Sequence, residues 1–417
     1  MSNRNSLTLL VLLSCLQCAC SNATTENVPE VVSTARAYVG GTVIPSPTEP
    51  AIEDGVVLVD GARIIAVGPR SSVRIPAGAT RIDCSGGTLL AGFWNSHVHF
   101  MAPEWDDAAH ASATALADSL REMLIRWGFV HVADLGSQYE NTAILRQRIE
   151  SGEVHGPSIL TAGMPFITSG GQPVYIAQPL PELTSPEQAS AAIDERLAAG
   201  ADLIKLMTAS IVKDPPPPVM PVEVVRAATR TAHAHQRLVF AHPTNADGVW
   251  AAVDGGVDVL AHTAPDMGPW SPDDIEHLLS AGMRLTPTLS LFRFEMEKDH
   301  ESEETMARIE SIVVGQLQAF HAAGGNTLFG TDVGYTTLFD PSSEFALLDR
   351  AGLDFSAILR SLTTAPAELF GLGDHAGRLL AGSDADLVVL DGDPRNDTAV
   401  WTRVKLVIRA GQTLFER

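Results

Sequence analysis

Between about Gly92 and Leu372 the chain alternates between two textures eight times. Short apolar runs, at Gly92–His97, Phe129–Asp134, Ser158–Ala162, Leu203–Met207, Leu238–His242, Val257–His262, Arg284–Pro287 and Thr327–Asp332, read as buried strands. Helix-like stretches fall between them, at Ala109–Trp127, Pro186–Ala199, Pro221–Ala234, Ala246–Asp254, Pro272–Ser280 and Met306–Ala323. Eight strand–helix units over about 280 residues are the pattern of an α/β protein with a (β/α)8 TIM barrel, here spanning 92–372. A doubly wound open sheet would call for a glycine-rich fingerprint after the first strand, and none is present.

The flanks read differently. Ala35–Ile44, Gly55–Val59 and Arg63–Val67 on one side, and Ala385–Leu390, Val404–Arg409 and Gln412–Glu416 on the other, look like strands punctuated by Gly and Pro. Residues 34–91 and 375–417 are therefore expected to build one small β-sandwich from both termini, with two independent terminal sheets as the alternative. Residues 1–22 read as a targeting segment: Arg4, an apolar stretch from Leu7 to Leu13, then small residues and cysteines. Leu12-Leu13-Ser14-Cys15 resembles a lipobox, and cleavage near Ala19 to Ala23 is the other option. The expectation is export, to a bacterial periplasm or to a membrane through a lipid anchor. Three of the 4 cysteines fall in this segment, leaving Cys84 alone in the folded part, so neither a disulfide framework nor a cysteine zinc knuckle is expected.

Formal net charge is -22, and no basic patch stands out to neutralise phosphates, which argues against a nucleic-acid partner. A small-molecule substrate is expected instead, and a homo-oligomer.

The chemistry-bearing residues sit at strand ends. In Phe93-Trp94-Asn95-Ser96-His97-Val98-His99 the two histidines are two apart, so a strand turns both to one face. Lys205 lies inside an apolar strand, where an unpaired charge is costly. His242 and His262 close two further strands, and Asp332 closes the last. A barrel brings all these ends to one face, the face where active sites lie. Four imidazoles, a carboxylate and an amine make a nitrogen and oxygen donor set suited to divalent metal, zinc first, with manganese, cobalt or iron as alternatives. Gln172 and Tyr175, in the loop after the third strand, and Arg293, after the seventh, are candidates for substrate contact. Pro215–Pro218 reads as a stiff pocket wall. His131, His233, His235 and His321 have no ligand-like spacing and read as structural.

The His-x-His after the N-terminal β region, Gly330-Thr331-Asp332 on the last strand and Gly382-Ser383-Asp384-Ala385-Asp386-Leu387-Val388-Val389-Leu390 together resemble the amidohydrolase superfamily, over nearly the whole chain. Within it the chain is most similar to imidazolonepropionase-like and Xaa-Pro-dipeptidase-like members. The resemblance implies a metal-centred barrel flanked by a β-sandwich, with His97, His99 and Asp332 on one metal and His242 and His262 on a second. It further implies that Lys205 is N6-carboxylated and bridges two divalent ions, most naturally Zn2+, about 3.5–4 Å apart. A hydroxide bridging the metals would then attack an amide, peptide or cyclic amide carbonyl, with Asp332 moving the proton to the leaving nitrogen. Such substrates include N-acyl amino acids, dipeptides and amide-bearing toxins or drugs. Two departures weigh against a prolidase: Gln172 stands where dipeptidase-like members carry His in Gly-Gly-His, and Ala209-Ser210-Ile211-Val212 replaces a Gly-Gly-Val run. The alternative is a mononuclear cyclic-amidine hydrolase or deaminase, with Lys205 an ordinary paired lysine. A catalytically inactive binding barrel would show missing ligands, and none is missing.

Overall fold

Strands covered on both faces, by helices outside and by one another's side chains inside a barrel, look in sequence like near-continuous apolar runs of Val, Ile, Leu and Ala. In the computed structural model, which describes residues 35–211 and 217–417, these runs form two parallel sheets. One holds Phe93–Val98, Phe129–Asp134 and Ser158–Thr161. The other runs in the order Glu182–Leu183, Phe166–Thr168, Ile204–Met207, Val239–His242, Val259–Leu260, Arg284–Leu285, Asn326–Thr327. Neither closes on itself, and together they make a TIM-barrel-like α/β fold. The targeting segment expected over residues 1–22, and Pro215 and Pro216 of the expected proline wall, lie outside the described residues.

The two seams between these sheets explain where the sequence reading and the structure part. The third expected strand, Ser158–Ala162, is found as Ser158–Thr161 and pairs with Phe129–Asp134, whereas an additional strand, Phe166–Thr168, pairs with Ile204–Met207. At that seam Asp202 N donates to Thr161 O at 2.9 Å. At the other, Ser96 N donates to Phe329 O (2.7 Å), Asp332 N to His97 O (2.9 Å) and His99 N to Val333 O (2.8 Å). Asn95, fully buried, braces the same seam: its Nδ2 donates to Thr331 Oγ1 at 2.7 Å, and its Oδ1 accepts from Thr331 N at 3.2 Å.

The helices start where a polar side chain can take an orphan N–H. Ser112, Ser185, Asn245, Ser271, Ser302 and Asp354 each sit in extended backbone and accept from the N–H three residues on. Ser112 trims the expected Ala109–Trp127 helix to Ala113–Met123, and Ser302 starts the last long helix at Glu303 rather than Met306. Helices at Tyr139–Glu150, Leu289–Lys298, Ser342–Arg350, Phe355–Leu362 and Thr364–Leu369 escape the sequence reading. Tyr139–Glu150 shows why: only Thr142, Leu145 and Ile149 are buried, too sparse an apolar stripe to announce itself.

The flanks form two further sheets. A four-stranded one runs Arg63–Pro69, Gly55–Asp60, Arg36–Val39, Thr80–Asp83. A five-stranded one runs Gln412–Glu416, Val404–Arg409, Leu387–Leu390, Thr88–Ala91, Thr42–Val43, and so interleaves strands from the two ends of the chain. A single apolar cluster draws Tyr38, Val57 and Ile64 from the first sheet and Leu89, Leu387 and Ile408 from the second. His131 ties the central strands to this region: its Nε2 lies 3.0 Å from Asp386 Oδ2, and its ring stacks on Trp94 at 4.5 Å. His233 and His235 likewise pair with Asp258 and Asp194 at 2.9 and 2.8 Å, consistent with structural roles.

Two glycines let the last strand pass the first. A Cβ on Gly330 would lie 2.3 Å from Thr286 Cγ2 and 2.9 Å from His97 Cβ. Gly334 has φ +97°, and a Cβ there would lie 1.8 Å from the His99 carbonyl oxygen. Gly334→Ala combines a disfavoured left-handed backbone with a clash against main chain, so it should cost about 2–5 kcal/mol of stability. Urea unfolding checks this, and a midpoint equal to that of the parent would refute the close approach.

Candidate active site

The alternation of side chains along parallel strands decides which residues reach the cavity. Leu203 and Phe240 belong to an apolar cluster with Ala133, Val259 and Leu328. Two residues further on, Lys205 and His242 point the same way and line a cavity of about 230 Å3. His97, His99, His262 and Asp332 line it as well, so all six candidate ligands share one cavity. Three of them meet closely. His97 Nε2 and His99 Nε2 are 3.2 Å apart and lie 3.1 and 2.7 Å from Asp332 Oδ1. The ring of His262 stands 4.7 Å from that of His97 and 4.6 Å from that of His242. Asp332 takes a left-handed backbone, φ +60°, which an aspartate tolerates better than most residues.

The outer nitrogens fix the tautomers. His97 Nδ1 donates to Ala261 O at 3.1 Å and His99 Nδ1 to Gly136 O at 2.7 Å; a carbonyl can only accept, so the proton is on Nδ1 in both. The Gly136 turn is itself held by Asp134, fully buried, which accepts from the Ser137 and Thr161 hydroxyls. The Thr288 hydroxyl donates to Pro287 O at 2.8 Å, leaving its oxygen to accept from His262 Nδ1 at 2.7 Å. Each of these three rings therefore turns an Nε2 lone pair inward.

Burial dominates the electrostatics. It pushes His97 down to about 4 and His242 to about 3, with Lys205 as the next cause in each case. His262 falls well below the usual imidazole value for the same first reason. Lys205 is pushed down to about 7 by burial, against the pull of Asp332 and Asp134. Burial would raise Asp332, but positive charge held among the His97 and His99 nitrogens outweighs it and brings the carboxyl well below its ordinary range. Tyr175 and Tyr335 both line the cavity, with ring centroids 5.4 Å apart. Burial and nearby carboxylates raise both phenols, so their hydroxyls remain protonated donors. Tyr335 donates to Glu295 Oε1 at 2.9 Å, and the rest of the wall is mostly apolar, including Met101, Leu135, Pro165, Ile176 and Met207.

The sequence candidates divide accordingly. Tyr175 is in the cavity wall, but Gln172 and Arg293 are not among its lining residues. Gln172 spends its amide on its own loop, donating to Ile176 O and Gln178 O and accepting from Leu180 N. Arg293 pairs instead with Glu297 and Glu303, at 2.9 and 3.2 Å. Tyr335, Glu295 and Thr288 were missed. Tyr335 had a usable signal, standing three residues after Asp332 on the same loop; Thr288 and Glu295 belong to a helix the periodicity did not reveal.

A buried set of inward-facing nitrogen and oxygen donors lines the cavity of this TIM-barrel-like fold, and the family match and relatives that follow make the chain a hydrolase acting on carbon–nitrogen bonds. Residues 88–414 match the amidohydrolase family, and the chain belongs to that family. Ochratoxinase from Aspergillus niger is 23% identical over 428 residues, covering 90% of this chain and 85% of that protein. Among solved structures, a putative prolidase from Bifidobacterium longum is 26% identical with a TM-score of 0.77, covering 92% of this chain and 95% of that one. A Xaa-Pro dipeptidase with bound methionine has a TM-score of 0.78 at 23% identity, covering 92% and 100%, and shows the shared fold.

The buried imidazoles make the metal-free protein acid-sensitive. Unfolded, His97, His242 and His262 titrate near about 6.5; folded, they do so lower. Between those values the unfolded chain binds more protons, so stability falls as pH drops from about 6.5 to 4. Glu344, raised to about 7 by burial, acts in the opposite sense from pH 7 to about 4.5, Asp134, also raised by burial, does so in more acid solution, and these two carboxyls are outweighed by three imidazoles. The expected net loss is on the order of a few kcal/mol. Urea midpoints measured across this range test it, and His242→Gln should flatten the profile. A midpoint that rises on acidification would contradict the neutral, buried rings.

Proposed function

We propose that this protein hydrolyses an amide or peptide bond of a small, largely apolar substrate at a two-metal centre, inside a barrel flanked by a composite β-sandwich of residues 34–91 and 375–417. The observation that carries this is the convergence of three acceptor atoms, His97 Nε2, His99 Nε2 and Asp332 Oδ1, at 2.7 to 3.2 Å with the ring protons committed elsewhere. Such atoms repel one another unless a positive charge lies among them. Burial disfavours a proton on His97, so a divalent cation fits the donor set. His97, His99 and Asp332 would hold one ion, His242 and His262 a second.

Lys205 suits a bridging role as a carbamate. With its ammonium pushed down to about 7, a substantial fraction of the amine is neutral near pH 7. The neutral Nζ can attack carbon dioxide, forming an N–C bond and releasing one proton to solvent. The product is an anion with two oxygen donors, which also removes the burden of a buried ammonium. Bound in this cavity, divalent ions would supply the charge that acidifies a water and polarises a substrate carbonyl. Asp332, ionised and against the two Nε2 atoms, is placed to receive the proton at a carboxylate oxygen and return it to the departing nitrogen. The Tyr175 hydroxyl is placed to orient a polar group of the substrate, and the apolar wall to exclude water from the rest. The ochratoxinase and prolidase relatives support the amide and peptide class.

Metal counting after reconstitution with zinc and bicarbonate should give about two equivalents per chain. Lys205→Ala should lose at least one equivalent together with most activity. A stoichiometry near one, with full activity in Lys205→Ala, would support the mononuclear cyclic-amidine hydrolase or deaminase instead. Asp332→Asn should lower kcat by about 10²–10⁴ while depleting metal far less, and normal turnover in that variant would remove its proton-transfer role.

A further inference from the structure

One helix of this fold is capped from outside, and the reason lies at the cavity. The helix Leu289–Lys298 begins after Thr288, a residue type that ordinarily caps by accepting an N–H with its own hydroxyl. Thr288 does not: its hydroxyl makes no cap bond, and its backbone is left-handed, φ +46° and ψ +51°. That is an unfavourable conformation for a β-branched residue, and Thr288 is wholly buried. The hydroxyl is turned instead between Pro287 O, to which it donates, and His262 Nδ1, from which it accepts at 2.7 Å. The helix N–H groups left without a cap are taken by a residue 55 positions away. Glu344, also wholly buried, accepts from Leu289 N at 2.9 Å with Oε1 and from Ser290 N at 2.8 Å with Oε2.

We infer that Glu344 and Thr288 form a relay of positioning residues: Glu344 holds the helix start so that the Thr288 hydroxyl is free to fix His262 with its Nε2 lone pair facing the cavity. The inference rests on the proposed metal centre for its functional meaning, but the geometry it describes is the protein's own. A buried carboxylate spent on two main-chain N–H groups, and a strained turn kept in threonine, are both explained by the single need to orient one imidazole. A glycine at 288 would relieve the backbone and a second capping side chain would serve the helix, yet neither could accept the His262 proton.

Four variants separate positioning from simple stability: Thr288→Val, Thr288→Gly, Thr288→Ser and Glu344→Gln. Each is read by zinc affinity in competition with a chelator, and by nitrogen-15 spectra of selectively labelled histidine in the metal-free protein, with His262 assigned by its own substitution. Thr288→Val and Thr288→Gly should weaken retention of one zinc ion about 10–100-fold and abolish the pure Nδ1–H signature of His262. Thr288→Ser should keep both, and Glu344→Gln, which puts an amide N–H against a main-chain N–H, should move both in the direction of Thr288→Val. Parent-like zinc affinity and an unchanged His262 signature in folded Thr288→Gly would overturn the proposal, and the same result in Glu344→Gln would remove Glu344 from it. Should the parent itself bind no zinc, the proposed metal centre fails, while the His262 tautomer in the same four variants still decides the relay.

Discussion

Four imidazoles, a carboxylate and an amine cannot share an apolar cavity unless their charges nearly cancel and their protons point away from one another. Much of the architecture around this cavity serves that condition. Three ring Nδ1 atoms are claimed by oxygens outside the cluster, those of Ala261, Gly136 and Thr288. Each acceptor is in turn placed by something else: a strand end, a turn held by Asp134, and a helix start held by Glu344. Desolvation then disfavours a proton on His97, His242 and His262 and brings the lysine into the range where it can react.

The cluster also occupies a structurally delicate position. His97, His99 and Asp332 come from the end of Phe93–Val98 and from the segment that follows Asn326–Thr327, which meet at one seam, where Asp332 N bonds His97 O and His99 N bonds Val333 O. The same main-chain bonds that join the sheets therefore set the spacing of the donor atoms. Asn95, Gly330 and Gly334 are best understood together in this light, one bracing the seam and two permitting the close passage. Precision at the cavity and continuity of the fold are the same requirement here.

Much of this was legible in the sequence, for physical reasons. Parallel strands with both faces covered are apolar almost throughout, so Phe129–Asp134 and Ile204–Met207 stand out, and a lysine or histidine at the end of one is conspicuous. The period-two rule placed His97 beside His99 and set Lys205 above Leu203. What stayed hidden depends on partners distant in sequence. Arg293 looks like a substrate contact until Glu297 and Glu303 are seen to hold it, and Gln172 until its loop closes around it. Glu344 lies on a helix the sequence did not announce, and nothing local reveals that it reaches the N–H groups of Leu289 and Ser290. The short strand Phe166–Thr168 is equally silent, since Gly163 and Pro165 before it mark a break without revealing that a further strand follows.

The interleaving of the terminal strands bears on how such a chain comes into being. Thr88–Ala91 takes Leu387–Leu390 as its antiparallel neighbour, about 300 residues downstream. At a synthesis rate of about 5–20 residues per second, that edge waits roughly 15–60 s for its partner on a ribosome. The polypeptide thus cannot finish from front to back. A strand made early is completed by one made near the end, and throughout that interval an unpaired apolar edge must be kept from the wrong company.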